Sequence, residues 1–232
     1  MRQEQSRFER LPAIDSIQVG RPRLRLSNPV LAGGGEVLDW SLYDFFSVAV
    51  DTLFDVVQQL FTTPTGQFYT PVGGTAFSKT LLHTDIQGGG GQLPNGYKLD
   101  VQAIRLVVDS SIQHIDLQNL LYNTFGNFVI GQKSYWQGPL SEIPGGVGEN
   151  LSFQVTGNGP ANTNGPAGLR TVYSLSAGLE ANITYGQNFA FYVNPTLGES
   201  GAWTTQADST TPPGVGFRAW IHLDGVFTRP TQ

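Results

Sequence analysis

Gly216-Phe217-Arg218-Ala219-Trp220-Ile221-His222-Leu223-Asp224-Gly225-Val226-Phe227-Thr228-Arg229-Pro230-Thr231-Gln232 is the stretch on which the fold turns. From Phe217 to Leu223 it alternates. Phe217, Ala219, Ile221 and Leu223 point one way, and Arg218, Trp220 and His222 the other. A period of two is a strand with one buried face. Two aromatics and two branched aliphatics with few charges suit a central strand rather than an edge. Such a strand completes a sheet begun by earlier segments. Asp224-Gly225 reads as a turn or bulge, with Val226–Thr228 continuing beyond it and the tail sealing its own barrel.

Outward from that strand, the composition points to an all-β chain. Its 232 residues include 29 Gly and 14 Pro, and hydrophobic residues make up 39%. Gly, Pro and Asn cluster between short apolar runs, as turns do. Only 13% of residues are charged, against about 25% in ordinary soluble domains. A free monomer normally covers itself with charge, so scarce charge implies that much of the surface meets other protein. With no Cys, disulfides and thiolate metal sites are excluded. The N-terminal residues lack the apolar core of a signal peptide.

The charge is unevenly placed. Arg2, Arg7, Arg10, Arg21, Arg23 and Arg25 stand against Glu4, Glu9 and Asp15, a net of +3. The residues beyond position 26 carry a net of −8. These six arginines, spaced by apolar anchors such as Leu11, Ile14 and Leu24, are the candidate contacts to neighbouring subunits, nucleic acid or a lipid surface. Pro12, Pro22 and Pro29 disfavour helix, so residues 1–35 read as an extended arm ending in Gly33-Gly34-Gly35.

Residues 36–65 read as an amphipathic helix, centred on 40–61. Polar residues at 44, 47, 51, 55 and 58 recur at steps of three and four, and Thr62-Thr63-Pro64 ends the run. Asp44, Asp51 and Asp55 argue against a membrane span, at about 2.5–3.5 kcal/mol each near a bilayer centre. They read as a solvated face. Residues 66–232 then form one β domain. Strands are expected at Gln67–Thr70, Ala76–Thr84, Tyr97–Val108 (Leu99, Val101 and Ala103 inward, with Leu106 a further inward candidate), Phe125–Ile130, Ser134–Trp136, Leu151–Thr156, Thr171–Ala177, Glu180–Thr184, Asn188–Val193 and Phe217–Thr228. A short helix is expected at Ile115–Tyr122. Gly88–Gly91, 157–168 and 195–214 read as loops, the first of them mobile. Eight strands make one jelly roll, and the length leaves little room for two. The expected fold is therefore all-β, a single eight-stranded jelly roll with an N-terminal arm and one amphipathic helix.

The search for chemistry returns no reaction centre. His83, His114 and His222 sit at no metal-ligand spacing. There is no nucleophile elbow, phosphate loop or dinucleotide fingerprint. An enzyme on a cupin-like barrel would need clustered histidines, and no cofactor or small-molecule substrate is expected. Trp136, Tyr135, Trp203 and Trp220 suggest a second reading, a receptor- or carbohydrate-binding sandwich with an aromatic platform.

Three stretches carry a family likeness: Phe128-Val129-Ile130-Gly131-Gln132-Lys133-Ser134-Tyr135-Trp136-Gln137-Gly138-Pro139-Leu140, then Ile143-Pro144-Gly145-Gly146-Val147-Gly148, then Leu223 to Gln232. Across residues 76–232 the chain resembles the jelly-roll major capsid proteins of tailless icosahedral prokaryotic viruses, including the single-roll kind of internal-membrane phages. The resemblance implies a structural, non-enzymatic subunit in a virion assembled in the host cytoplasm. It also implies strands normal to the shell and arms that tie capsomers together. The implied partners are further copies, a second capsid protein, and lipid or nucleic acid against the arm.

Overall fold

The computed structural model describes residues 30–31, 35–109, 112–143, 173–174, 181–196, 201–206 and 216–230. The six arginines at positions 2–25 and the expected strand at 151–156 lie outside them. In chain order the first strands are β1 Val30–Leu31, β2 Gly35–Val48, β3 Leu53–Phe54, β4 Gln58–Leu60, β5 Phe68–Tyr69, β6 Phe77–Ser78 and β7 Lys98–Val108. Helix α1 spans His114–Tyr122. Then come β8 Phe125–Ile130, β9 Lys133–Pro139, β10 Tyr173–Ser174, β11 Ala181–Thr184, β12 Phe189–Asn194, β13 Trp203–Thr204 and β14 Phe217–Pro230.

The larger sheet has the order β1-β2-β14-β7, with β10 and β11 both on the far side of β7. The smaller has the order β4-β12-β8-β9. Every one of these pairings is antiparallel. β14 is central, paired with β2 from Phe217↔Val48 to Pro230↔Gly35 and with β7 on its other side. Phe217, Ala219, Ile221 and Leu223 are fully buried, as their alternation requires. They share one core with Leu60, Phe128, Phe189, Phe191 and Val193 of the smaller sheet. Trp136 stacks on Phe191 and Trp203 on Phe217 within it.

Two expectations are corrected. The first is the helix at 36–65: residues 35–48 are the long strand β2, followed by β3 and β4. Leu42, Asp44, Phe46 and Val48 are buried on the same side of β2. Asp44 is an inward-facing carboxylate, so the apparent polar stripe is broken at its first member. Asp51, at φ +49, turns the chain after β2. Aromatic and β-branched residues fit a pleated, half-buried surface better than a helix, and pairing with β14 decides the outcome. The second correction concerns β7. Its pairing with β14 shifts register between Asp224 and Gly225, while β2 stays in register. The shift is a bulge on the β7 side. Leu99, Val101 and Leu106 are in the core as expected, Ile104 and Val108 join them, and Ala103, though buried, stands opposite Asp224 outside that cluster. Gly225 is required there: a Cβ would sit 2.0 Å from the Asp100 carbonyl oxygen.

The loops gather at two ends. At one, Thr205 accepts from Thr52 N–H and donates to the Ala49 carbonyl, and Gln206 N–H donates to Asp116 of α1. At the other, Gly91 N–H donates to Phe61, Phe189 N–H to Gly91, and Gly131 N–H to Asn188. The Gly88–Gly91 run, expected to be mobile, is packed at Gly90, where a Cβ would meet the Thr62 carbonyl oxygen at 1.6 Å.

Candidate functional site

Residues 61–86 form a strap that crosses the open edge of β2. The outward backbone groups of β2 are met there one after another. Tyr43 N–H donates to Asp85 Oδ1 at 2.9 Å, and Ser47 N–H donates to the Tyr69 hydroxyl at 2.9 Å. Val72 continues the seal through backbone, donating to the Ser47 carbonyl and accepting from Ala49 N–H. A sheet edge covered in this way offers little to a neighbouring strand.

Asp44 also holds the strap down. Its Oδ1 accepts from Lys79 Nζ at 2.6 Å and its Oδ2 from Phe61 N–H at 2.6 Å. The two side chains are 0% and 2% exposed. The ammonium lies 5.1 Å from the Tyr69 ring centre and 5.4 Å from that of Phe45, within cation–π range. Burial pushes the Asp44 carboxyl up and the Lys79 ammonium down, against their mutual attraction. A desolvated lysine can serve as a nucleophile, but at 2% exposure no substrate carbonyl reaches this one. The pair is a clamp. His83 stacks on Phe45 with ring centres 4.6 Å apart, and burial, then Arg218 and Lys79, lower its pKa.

A second polar cluster lies on the outward face of β14. Arg105 donates from Nε to Asp224 Oδ2 at 2.8 Å and from Nη2 to Oδ1 at 3.0 Å, a two-pronged pairing. His222 Nδ1 is 2.9 Å from Ser41 Oγ and 3.2 Å from Arg105 Nη2. Burial first, then the Arg105 cation, pull the His222 pKa down to about 4, with Asp224 opposing. A neutral imidazole accepting from arginine holds the register of three strands, and no nucleophile–base–orienter relay is formed.

The expected aromatic platform is not assembled. Trp136 and Trp203 are core residues, and Trp220 packs on Phe45 while its indole donates to the Leu82 carbonyl. No group of three metal-ligating side chains occurs among the described residues. Of the three aspartates read as one helix face, Asp44 is the buried clamp, while Asp51 and Asp55 are exposed. No helix is long and apolar enough to cross a membrane among those residues.

What sequence reasoning missed is a cleft and a set of exposed apolar side chains. The cleft, about 210 Å³, opens between β2, the tail of β14 and residues 85–97, with Trp40, Tyr97 and Phe227 in its walls. Phe68, Leu81 and Leu82 are exposed on the strap, Leu53, Val56 and Val57 around β3, and Tyr122 on α1. No sequence motif marks either feature, because each is assembled from segments far apart in the chain or lies in turns.

Comparison with known protein families, curated proteins and solved structures finds no match to this chain.

Proposed function

We propose that the chain is a structural capsid subunit, a single jelly roll that assembles with copies of itself into an icosahedral shell. Strand pairing carries the reading. Apart from the two-residue β1 and β10, the two facing sheets consist of eight strands: β2, β4, β7, β8, β9, β11, β12 and β14. First pairs with last, second with seventh, third with sixth and fourth with fifth. That is one long antiparallel ribbon wound upon itself, the pattern of a roll built from two Greek keys. Low charge and exposed Phe68, Leu81, Leu82, Val56 and Val57 support burial of its flanks against neighbours. Stable contacts of this kind bury upward of about 1,200 Å² each. Arg2, Arg7, Arg10, Arg21, Arg23 and Arg25 would add contacts to neighbours, genome or lipid. The test is light scattering and electron microscopy of the purified full chain across concentration. Capsomers or closed particles are expected, and Leu82→Glu with Phe68→Glu reduces them while leaving the circular dichroism unchanged. A chain that stays monomeric at high concentration, alone and with the other virion proteins, refutes the proposal.

A further inference from the structure

The cleft at the mouth of the sandwich is unlike the rest of the inner face. Along β2, the inward positions Leu42, Asp44, Phe46 and Val48 are sealed, yet Trp40 on the same side is 47% exposed. Its indole is not loose. Nε1 donates to Asp85 Oδ2 at 3.0 Å, and Asp85 is itself anchored by Tyr43 N–H. The ring is thus held in one orientation while a large part of it faces solvent. Phe227 stands beside it, ring centres 6.2 Å apart, and Tyr97 stands 5.4 Å beyond Phe227. Three aromatic rings therefore line the wall in a row, over a floor that includes buried Leu42 and Leu93.

Planar polar groups stand around these rings. Gln87 is exposed and its side chain has both donor and acceptor capacity. Gln92 donates its amide to Asn188 Oδ1 at 2.6 Å, which leaves its carbonyl oxygen as an acceptor. Arg229 spends Nε on Glu36 Oε2 at 2.7 Å, which leaves its terminal amino groups as donors. Asp85 has a second lone pair on each oxygen.

We infer that this cleft binds a neutral saccharide. A pyranose has an apolar C–H face and a rim of hydroxyls that both donate and accept. Fixed aromatic rings match the first, and Asp, Gln and Arg side chains the second. The charge selects against other ring-shaped or apolar ligands. The cation lining the cleft, Arg229, is already paired with Glu36, and Asp85 is acidic. A nucleotide would bring phosphate beside Asp85 and Glu36, with Arg229 as the one cation among the described residues that line the cleft. An acyl chain would leave Asp85, Gln87 and Gln92 facing hydrocarbon, at a desolvation cost. The volume suits one sugar ring, so the affinity is weak, with Kd of about 1 mM.

The test uses the full chain and ligand-observed NMR with tryptophan fluorescence. The probes are glucose, galactose, mannose and N-acetylglucosamine, with glucuronate, uridine and octanoate for comparison. Saturable binding of at least one neutral sugar is expected, with Kd raised about tenfold by Trp40→Ala and several-fold by Gln87→Ala. Gln87 is exposed and lies outside the buried core, so its variant folds even where Trp40→Ala does not. No saturable signal up to about 50 mM, well above that Kd, overturns the inference. So does a sugar signal that neither variant weakens, or binding of uridine or octanoate without binding of any neutral sugar. Assembly is read separately, so failure here leaves the capsid proposal standing.

Discussion

Replacing Lys79 with methionine isolates the cost of a buried charge in this fold. The change keeps most of the side-chain volume and removes the ammonium that sits 2.6 Å from Asp44. Asp44 is left wholly buried, with the Phe61 amide as its remaining hydrogen-bond donor. Stranding one member of a buried pair costs about 3–5 kcal/mol. We expect about 4 kcal/mol here, because the remaining amide bond solvates the carboxylate but does not neutralise it. The double variant Asp44→Asn/Lys79→Met keeps an oxygen for Phe61 N–H and removes the stranded charge. It should recover about 2 kcal/mol of the loss, a coupling that independent sites would not show. The exposed pair Arg229–Glu36 serves as a control: Arg229→Gln should cost about 0.5 kcal/mol. Urea unfolding followed by tryptophan fluorescence reads all four proteins, with the slope unchanged and the midpoint shifted. A single-variant loss below about 1 kcal/mol, or a double variant no better than the single, refutes the clamp.

Three further outcomes follow from the same physical reasoning. Gly225→Ala drives a Cβ into backbone of β7, 2.0 Å from the Asp100 oxygen, and should cost about 3 kcal/mol in the same unfolding assay; a neutral result would mean that the bulge yields freely. Burial raises the Asp116 carboxyl to about 6 from an ordinary 3.8, with Gln206 N–H opposing. The folded chain therefore holds that proton more tightly than the unfolded one, and the contribution is full below the ordinary value and lost as pH rises to about 6. The stability of wild type relative to Asp116→Asn should fall across that window and be flat above it; a rise would contradict the assignment. For His222, NMR titration should give a midpoint of about 4, and Arg105→Gln should move it upward toward the ordinary histidine value, because the flanking cation is gone.

The parts of this fold that were legible in the sequence are those where burial follows the pleat. Phe217–Leu223 alternates without exception and is the central strand. Phe125–Ile130 and Phe189–Val193 have the apolar content of inner strands, and α1 at His114–Tyr122 matches the short helix expected at Ile115–Tyr122. β2 was illegible because one inward position holds Asp44, whose partner Lys79 is 35 residues away. A single inward carboxylate turns a period of two into something that counts like a helix. Trp203 lies in a stretch that reads as a loop, yet a two-residue pairing with β3 carries it into the core. The Arg105–Asp224 pair joins residues 119 apart, and the cleft draws on three separate segments. Such arrangements leave no local period, so only the folded chain reveals them.

The sealed edge of β2 has a consequence for polymerisation. A ribbon of sheet that runs from one molecule into the next needs two open edges, one to give and one to receive. The strap occupies the outward groups of Tyr43 and Ser47, so the larger sheet cannot gain a strand along that part of β2. Closing one of the two edges is enough to stop open-ended, fibre-like growth through that sheet. Copies that meet must then do so through side-chain surfaces, whose angles are free to curve and close.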